Sequence, residues 1–159
     1  MNPSLIILLA FGIGAVGGMR SMTAPAVVAW AAHLGWLHLA GYPLLFMQSR
    51  VSLVIFTLAA IGEFVGDLLP AAPPRTTLFP LVVRLIVGLL TGACLAISGG
   101  VSLWIGGIAG ATGAIAGAFG GYYARTGLVR ALRVKDAVIA IPEDLFAVFF
   151  GILIVSRFS

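Results

Sequence analysis

The sequence predicts an all-α fold, a polytopic transmembrane helix bundle of five to six segments forming a single domain over residues 1–159. Two observations carry this reading. Of the 159 residues, 61% are hydrophobic and only 9% are charged, whereas a soluble domain needs about a quarter of its residues charged to cover its surface. The mean hydropathy is +1.16, and apolar runs recur along the whole chain. The surface left uncovered by charge must face lipid.

The runs fall at 3–19, 25–46, 51–69, 77–97, 101–123 and 136–156. A bilayer core ~30 Å thick takes about 20 helical residues, with about 17–25 tolerated. The first run is short. No Lys or Arg precedes Arg20, so the run lacks the basic start of a cleaved signal and reads as a retained helix. Gly35, Gly41 and Pro43 interrupt the second run, in which His33, Trp36, His38 and Tyr42 have an interfacial character. That run is expected either to span or to form a broken, re-entrant helix near residues 20–46, which is allowed where it packs against protein. The other four are of spanning length.

Charge sets the orientation. There are nine basic and five acidic residues. If all six runs span, Arg20, Arg75, Arg125, Arg130, Arg133 and Lys135 share one side, with Arg50 and Arg157 opposite. If the second run does not span, Arg20 joins Arg50 and Arg157. Either way, the positive-inside rule places the Arg125–Lys135 loop in the cytoplasm. Six spans give the cleaner asymmetry. The net charge of +4 comes with no dense basic patch interleaved with aromatics, so no nucleic-acid partner is expected. Cys94 is the single cysteine and reads as a small buried hydrophobe rather than a reactive thiol.

Gly106, Gly110, Gly113, Gly117 and Gly120 recur at spacings of four and three, which is one helix face. Such a face lets a neighbouring helix approach closely. Packing within the bundle is the first reading and a homo-oligomer face the second. "GAVGG" at 14–18 echoes "GAFGG" at 117–121, each followed by an arginine and later by a carboxylate pair, the pattern of a weak internal repeat.

The acids point to a site. Glu63, Asp67, Glu143 and Asp144 lie inside apolar segments, leaving Asp136 at a boundary. A charge at a helix centre costs ~2.5–3.5 kcal/mol on insertion scales, so it marks a site by default. Glu63 and Asp67 are four apart and share a helical face. Glu143 and Asp144 follow Pro142. Arg75 lies in "PAAPPRTT", Arg84 about two turns into the next helix, and Arg125 at the end of the glycine helix. These groups are expected to form either a set of structural salt bridges or a polar cavity that receives an ion or anionic group.

In "GGMRSMTAPA", Pro25 suits the first turn of a helix, and Ser21 or Thr23 is expected to cap it. A helix start attracts anions, and Arg20 beside it strengthens that pull. No nucleotide or dinucleotide fingerprint appears, so no cofactor is expected. His33 and His38 are five apart and do not share a face. The E-x-x-x-D pair could hold Mg²⁺ beside a phosphate, and the sequence leaves a metal undecided.

"GGMRSMTAPA", "GEFVGDLLPAAPPRT" and "IPEDLFAVFFG" together resemble a family of small bacterial membrane proteins catalogued as a domain of unknown function. Its pattern runs G-x-R-S-x-T-A-P-A, E-x-x-x-D-x-x-P-x-x-P-x-R-T and a late E-D. Where members often carry Lys, this chain has Leu68, which removes one ion-pair partner near Asp67. The resemblance implies an inner-membrane protein and marks Arg20, Ser21, Thr23, Pro25, Glu63, Asp67, Pro70, Pro73, Arg75, Glu143 and Asp144 as motif positions.

The leading expectation is a small transporter or permease for an ion or small anionic solute. Arg20, Arg75 and Arg84 would receive the anionic group, with Glu63 and Glu143 as proton or cation carriers. The alternatives are a non-transporting module that binds anionic lipid headgroups or a protein partner, and an intramembrane enzyme with a metal at Glu63 and Asp67. Membrane lipids are the expected surroundings in each case.

Overall fold

The computed structural model describes residues 1–39, 43–66 and 76–159, and every regular element among them is helical. The helices are α1 (Pro3–Met19), α2 (Thr23–His33), α3 (Arg50–Gly66), α4 (Leu78–Ser98), α5 (Leu103–Leu132) and α6 (Asp136–Val155). Single 3₁₀ stretches cover Pro43–Gln48 and Ser156–Phe158. Leu78–Ser98, Leu103–Leu132 and Val138–Phe158 are long and apolar enough to cross a membrane, while Pro3–Met19 is apolar but shorter. The chain is an all-α membrane bundle.

Its centre is a three-helix unit of α1, α4 and α5, held by glycine rather than by large side chains. A Cβ at Gly14 would strike the Gly110 carbonyl, and one at Gly18 would strike Ala114 and Ala118. Gly113 and Gly117 lie against the backbone of Phe11 and Ala15, while Gly88 and Gly92 lie against Gly110 and Gly106. The residue numbers rise together between α1 and α5, so these helices run parallel. They run in opposition between α4 and α5. Close backbone approach replaces hydrophobic collapse where the surroundings are themselves apolar. Four of the five glycines in the α5 row are used in this way, but Gly120 faces open space. The two echoing pentapeptides lie side by side, with Gly117 on Ala15. Cys94 is buried in the core.

The second apolar run is where sequence and structure differ most. Among the described residues of that run only Thr23–His33 is α-helical, 11 residues or about 16 Å at 1.5 Å per residue. The chain then continues so that the His38 N–H reaches Ser98 Oγ at the far end of α4. At the other end α1 stops just after Gly18, and α5 runs on from Ala118 to Leu132, roughly 20 Å further. The Arg20–Met22 turn is therefore a tip between α1 and α2, set inside the bundle. Its Arg20 is only 1% exposed.

Two boundaries also move. α5 extends to Leu132, so most of the expected Arg125–Lys135 loop is helix, because Tyr122–Leu132 contains no proline and several good helix formers. Only Arg133–Lys135 connect to α6, and Arg133 adopts a left-handed φ of 53° at the helix end. α3 is described to Gly66. Asp67, Leu68, Pro70, Pro73 and Arg75 lie outside the described residues.

Candidate functional site

The tip between α1 and α2 is surrounded by charge. Arg20 forms an ion pair with Asp144 of α6, and its guanidinium lies 5.5 Å from the centroid of the Phe64 ring on α3, within range of a cation–π contact. Glu63, also on α3, faces the backbone of the tip. Its Oε1 accepts from the Ser21 N–H at 2.9 Å and the Ser21 hydroxyl at 2.7 Å. Its Oε2 accepts from the Met22 N–H at 2.8 Å.

Met22 is the residue before α2, and its own side chain makes no capping bond. Neither Ser21 nor Thr23 plays the expected capping part. A carboxylate from another helix takes the free N–H donors instead, and such bonds to an ionised acceptor are the stronger kind. The partial positive charge at the α2 start acts in the same direction.

Arg84 completes this cradle from α4. It is 8% exposed, lies 3.8 Å from Glu63 Oε1, and donates from Nε to the Gly18 carbonyl at 3.0 Å. It also donates to the Pro80 carbonyl at 3.2 Å. One guanidinium thus joins the carbonyl end of α1 to the anion at the start of α2. A buried charge requires such pairing to be tolerated.

A second cluster lies further along α5. Arg125 binds Asp136 in a forked contact through Nε and Nη2, and Nη1 reaches Glu143 Oε2 at 3.4 Å. Neighbouring acids on α6 therefore serve different partners, with Asp144 turned to the tip between α1 and α2 and Glu143 to α5. A helix sets successive side chains on different faces, so adjacent acids can tie two clusters together.

Of the residues singled out by sequence, Arg20, Ser21, Glu63, Arg84 and Asp144 converge on the tip. Arg125 and Glu143 form the adjoining cluster. Thr23 is in the first turn of α2 and 1% exposed, and its Oγ1 has no hydrogen-bond partner among the described residues. Asp67 and Arg75 lie outside the described residues. Among those described, no group of three or more His, Cys, Asp and Glu is placed to hold a metal. His33 meets the Gln48 carbonyl at 3.1 Å, apart from this region.

Sequence reasoning did not single out Phe64, the Gly18 carbonyl, the Met22 N–H or the pairing role of Asp136. The first is one aromatic in an apolar run, and the next two are backbone groups with no residue-type signal. Asp136 had a signal, since a carboxylate eleven residues after Arg125 can meet it across a short helical turn.

Two cavities flank the charged region. One of about 410 Å³ lies between α2, α3 and α6, with Thr23 and Phe64 in its wall and Trp30 and Trp36 further along. The other, about 400 Å³, lies between Met19, the Arg125–Leu132 part of α5, and Glu143 and Phe146 of α6.

No curated protein and no solved structure matches the chain. A family model matches from residue 7 to residue 156, taking in the tip between α1 and α2 and both charged clusters. The chain belongs to the family described as a domain of unknown function, DUF4126.

Proposed function

We propose that this chain is a small membrane transporter or permease for a small anionic solute, driven by a proton or cation. The observation that carries the reading is the Glu63 carboxylate in its cradle of two backbone N–H groups, one hydroxyl and Arg84. This is an anion-binding site built on a broken helix pair and filled by the chain's own anion. A broken helix whose start faces an anionic group inside the membrane is a known transporter device.

Protonation supplies the exchange step. A protonated carboxyl carries one O–H donor and only neutral acceptors, so it holds the N–H groups of Ser21 and Met22 and Arg84 far more weakly than the carboxylate does. Glu63 then leaves, and the donors and Arg84 accept a solute anion in its place. Arg20–Asp144 closes the other side of the tip, and a cavity on each side offers a waiting position. The Arg125 end is cytoplasmic in this reading, in a bacterial inner membrane.

The test is flux into liposomes driven by a pH gradient. Glu63→Gln, folded and reconstituted, is expected to lose the pH dependence, and Glu143→Gln to weaken it. Undiminished pH-dependent flux in both variants removes the carrier role.

A second reading is a non-transporting module for anionic lipid headgroups, favoured by one observation. Arg125 and Glu143 line the second cavity together with Leu128, Leu132 and Phe146, a charged group beside an apolar slot. That reading predicts lipid retention and no flux. A homo-oligomer would have to form through faces other than Gly106–Gly117, which α1 and α4 occupy.

A further inference from the structure

The turn that joins α5 to α6 carries cations that neither charged cluster uses. Arg130, Arg133 and Lys135 are all exposed, and none of their side chains makes a hydrogen bond or ion pair among the described residues. Arg125, the fourth cation at this end, is held by Asp136 and Glu143, while Asp144 is turned to Arg20. Four cations thus stand against two acids, and the turn keeps a surplus of positive charge. Arg133 ends α5 and Lys135 starts α6, so the short connector holds these two close together.

Beside these cations lies the cavity of about 400 Å³ between α5 and α6. Its wall follows α5 from Gly121 to Leu132, about 16 Å at 1.5 Å per residue. Leu128, Leu132, Ile139, Pro142 and Phe146 make it an apolar slot, and the exposure of Leu128, Leu132 and Phe146 leaves it open to its surroundings. Lys135 precedes Ile139 by four residues, which sets it one turn beyond the slot near the same side of α6. Depth follows from length. α5 has 30 residues, about 45 Å, against about 40–45 Å for a bilayer with both headgroup layers. Trp104, in the first turn of α5 and 71% exposed, suits one interface. A helix of this length brings the α5–α6 turn to the opposite headgroup layer, with the slot running from there toward the acyl chains.

We infer that the α5–α6 turn binds one phospholipid with a net negative headgroup, its phosphate at Arg133 and Lys135 and one acyl chain in the slot. Arg130 lies two residues from both Leu128 and Leu132, on the other side of α5 from the slot, and adds only to the field. The two observations select the ligand together. Unpaired cations alone suit any anion, and an apolar slot alone suits any chain, but a phospholipid of the surrounding leaflet offers both at the right depth. A Lys or Arg at the membrane surface strengthens the hold on anionic lipid about fivefold. The inference rests on the headgroup reading, of which it names the lipid class and the seat, and the transport reading gives these three cations no part.

The test is native mass spectrometry of the full chain in mild detergent, after exchange with equal amounts of dioleoyl phosphatidylglycerol and dioleoyl phosphatidylcholine. One phosphatidylglycerol per chain is expected to be retained in preference to phosphatidylcholine, and less firmly as salt rises. Arg133→Asn with Lys135→Gln, both at exposed positions, should weaken phosphatidylglycerol about 25-fold and leave phosphatidylcholine unchanged. Asn tolerates the left-handed φ of 53° at position 133, so the helix end is preserved. Arg130→Gln should cost about fivefold at most. Leu132→Gln, at the outer end of the slot, should weaken both lipids alike.

Equal retention of the two lipids by the wild type overturns the inference. A preference that survives the paired substitution overturns this seat and leaves the headgroup reading standing, with Arg125 as its cation. As large a loss from Arg130→Gln alone as from the pair means that a diffuse field attracts the lipid, which also overturns the seat. Release of phosphatidylglycerol by glycerol phosphate or by hexaglutamate makes the turn a site for a soluble anion or an acidic protein segment, and overturns the lipid. Nitrate flux in liposomes reports on the reading beneath. pH-driven flux with the lipid preference intact removes the non-transporting part of that reading and keeps the seat.

Discussion

Ser21 and Glu63 lie 42 residues apart, yet one carboxylate oxygen of Glu63 accepts both the N–H and the hydroxyl of Ser21, at 2.9 and 2.7 Å. With the Met22 N–H on its other oxygen, Glu63 acts as the missing cap of α2. Helix starts leave free N–H groups that must find acceptors, and deep in a bundle water is a poor source of them. A neighbouring helix supplies the acceptor here, so the break between α1 and α2 depends on α3.

That dependence gives the first prediction. Glu63→Ala removes the carboxylate that meets the tip donors and Arg84, and removing one partner of a buried pair costs about 3–5 kcal/mol. Glu63→Gln keeps the volume and one acceptor oxygen, so its loss should be smaller. Thermal unfolding in mild detergent should order the variants wild type, Gln, Ala. If Ala unfolds with wild type, the cradle contributes nothing to stability.

The second prediction concerns glycine. A Cβ on Gly14 would strike the Gly110 carbonyl and one on Gly110 the Gly88 carbonyl, whereas Gly120 faces open space. Overpacking a tight contact costs about 1–3 kcal/mol or more. Gly110→Ala should therefore lower the unfolding temperature sharply, or prevent recovery of folded protein. Gly120→Ala should match or slightly exceed wild type, because alanine is the better helix former. A similar response at both positions would mean that the α5 row does not hold the bundle.

How much of this was legible beforehand depended on whether a residue type implied a partner. The limits of α1, α4 and α6 follow the apolar runs to within a residue or so, because hydropathy is a property of the run itself. The Gly106–Gly117 face was also readable, since its spacing is a statement about one helix. That Glu63 and Arg84 belong together was suggested by the cost of charge in an apolar segment. Which acid meets which arginine was not readable, because pairing depends on the rotation of each helix about its axis. The length of α2 was left open for a related reason. Its interruption was visible in Gly35 and Gly41, but the early stop at His33 and the burial of the preceding turn depend on α3 and α6. Phe64 and the backbone groups of Gly18 and Met22 carried no signal.

The third prediction separates, by exposure, the two acids that meet Arg125. The Asp136 side chain is 61% exposed and that of Glu143 is 8% exposed, although both meet Arg125. An exposed pair contributes about 0–1 kcal/mol and is screened by salt. Asp136→Asn should therefore shift stability little, and less at high salt. Glu143→Gln should cost more and respond little to salt. Equal, salt-sensitive losses would place Glu143 in water, in conflict with its burial.

The fourth prediction asks whether the Arg20–Asp144 pair is a lock or part of a pathway. Removing either partner leaves a charge with 1% or 18% side-chain exposure and should be strongly destabilising. Replacing both by apolar residues of similar size is often neutral or stabilising, because neither charge then has to be desolvated. Arg20→Met with Asp144→Leu should accordingly recover most of the stability lost in either single variant, as read by a double-mutant cycle of unfolding temperatures. A purely structural lock would then work as well in apolar form, and flux would return with stability. In a transport site the charges have to separate during each cycle, so the stable apolar pair should move no anion. Recovered stability with recovered pH-dependent flux would remove Arg20 and Asp144 from the transport path and leave them as packing.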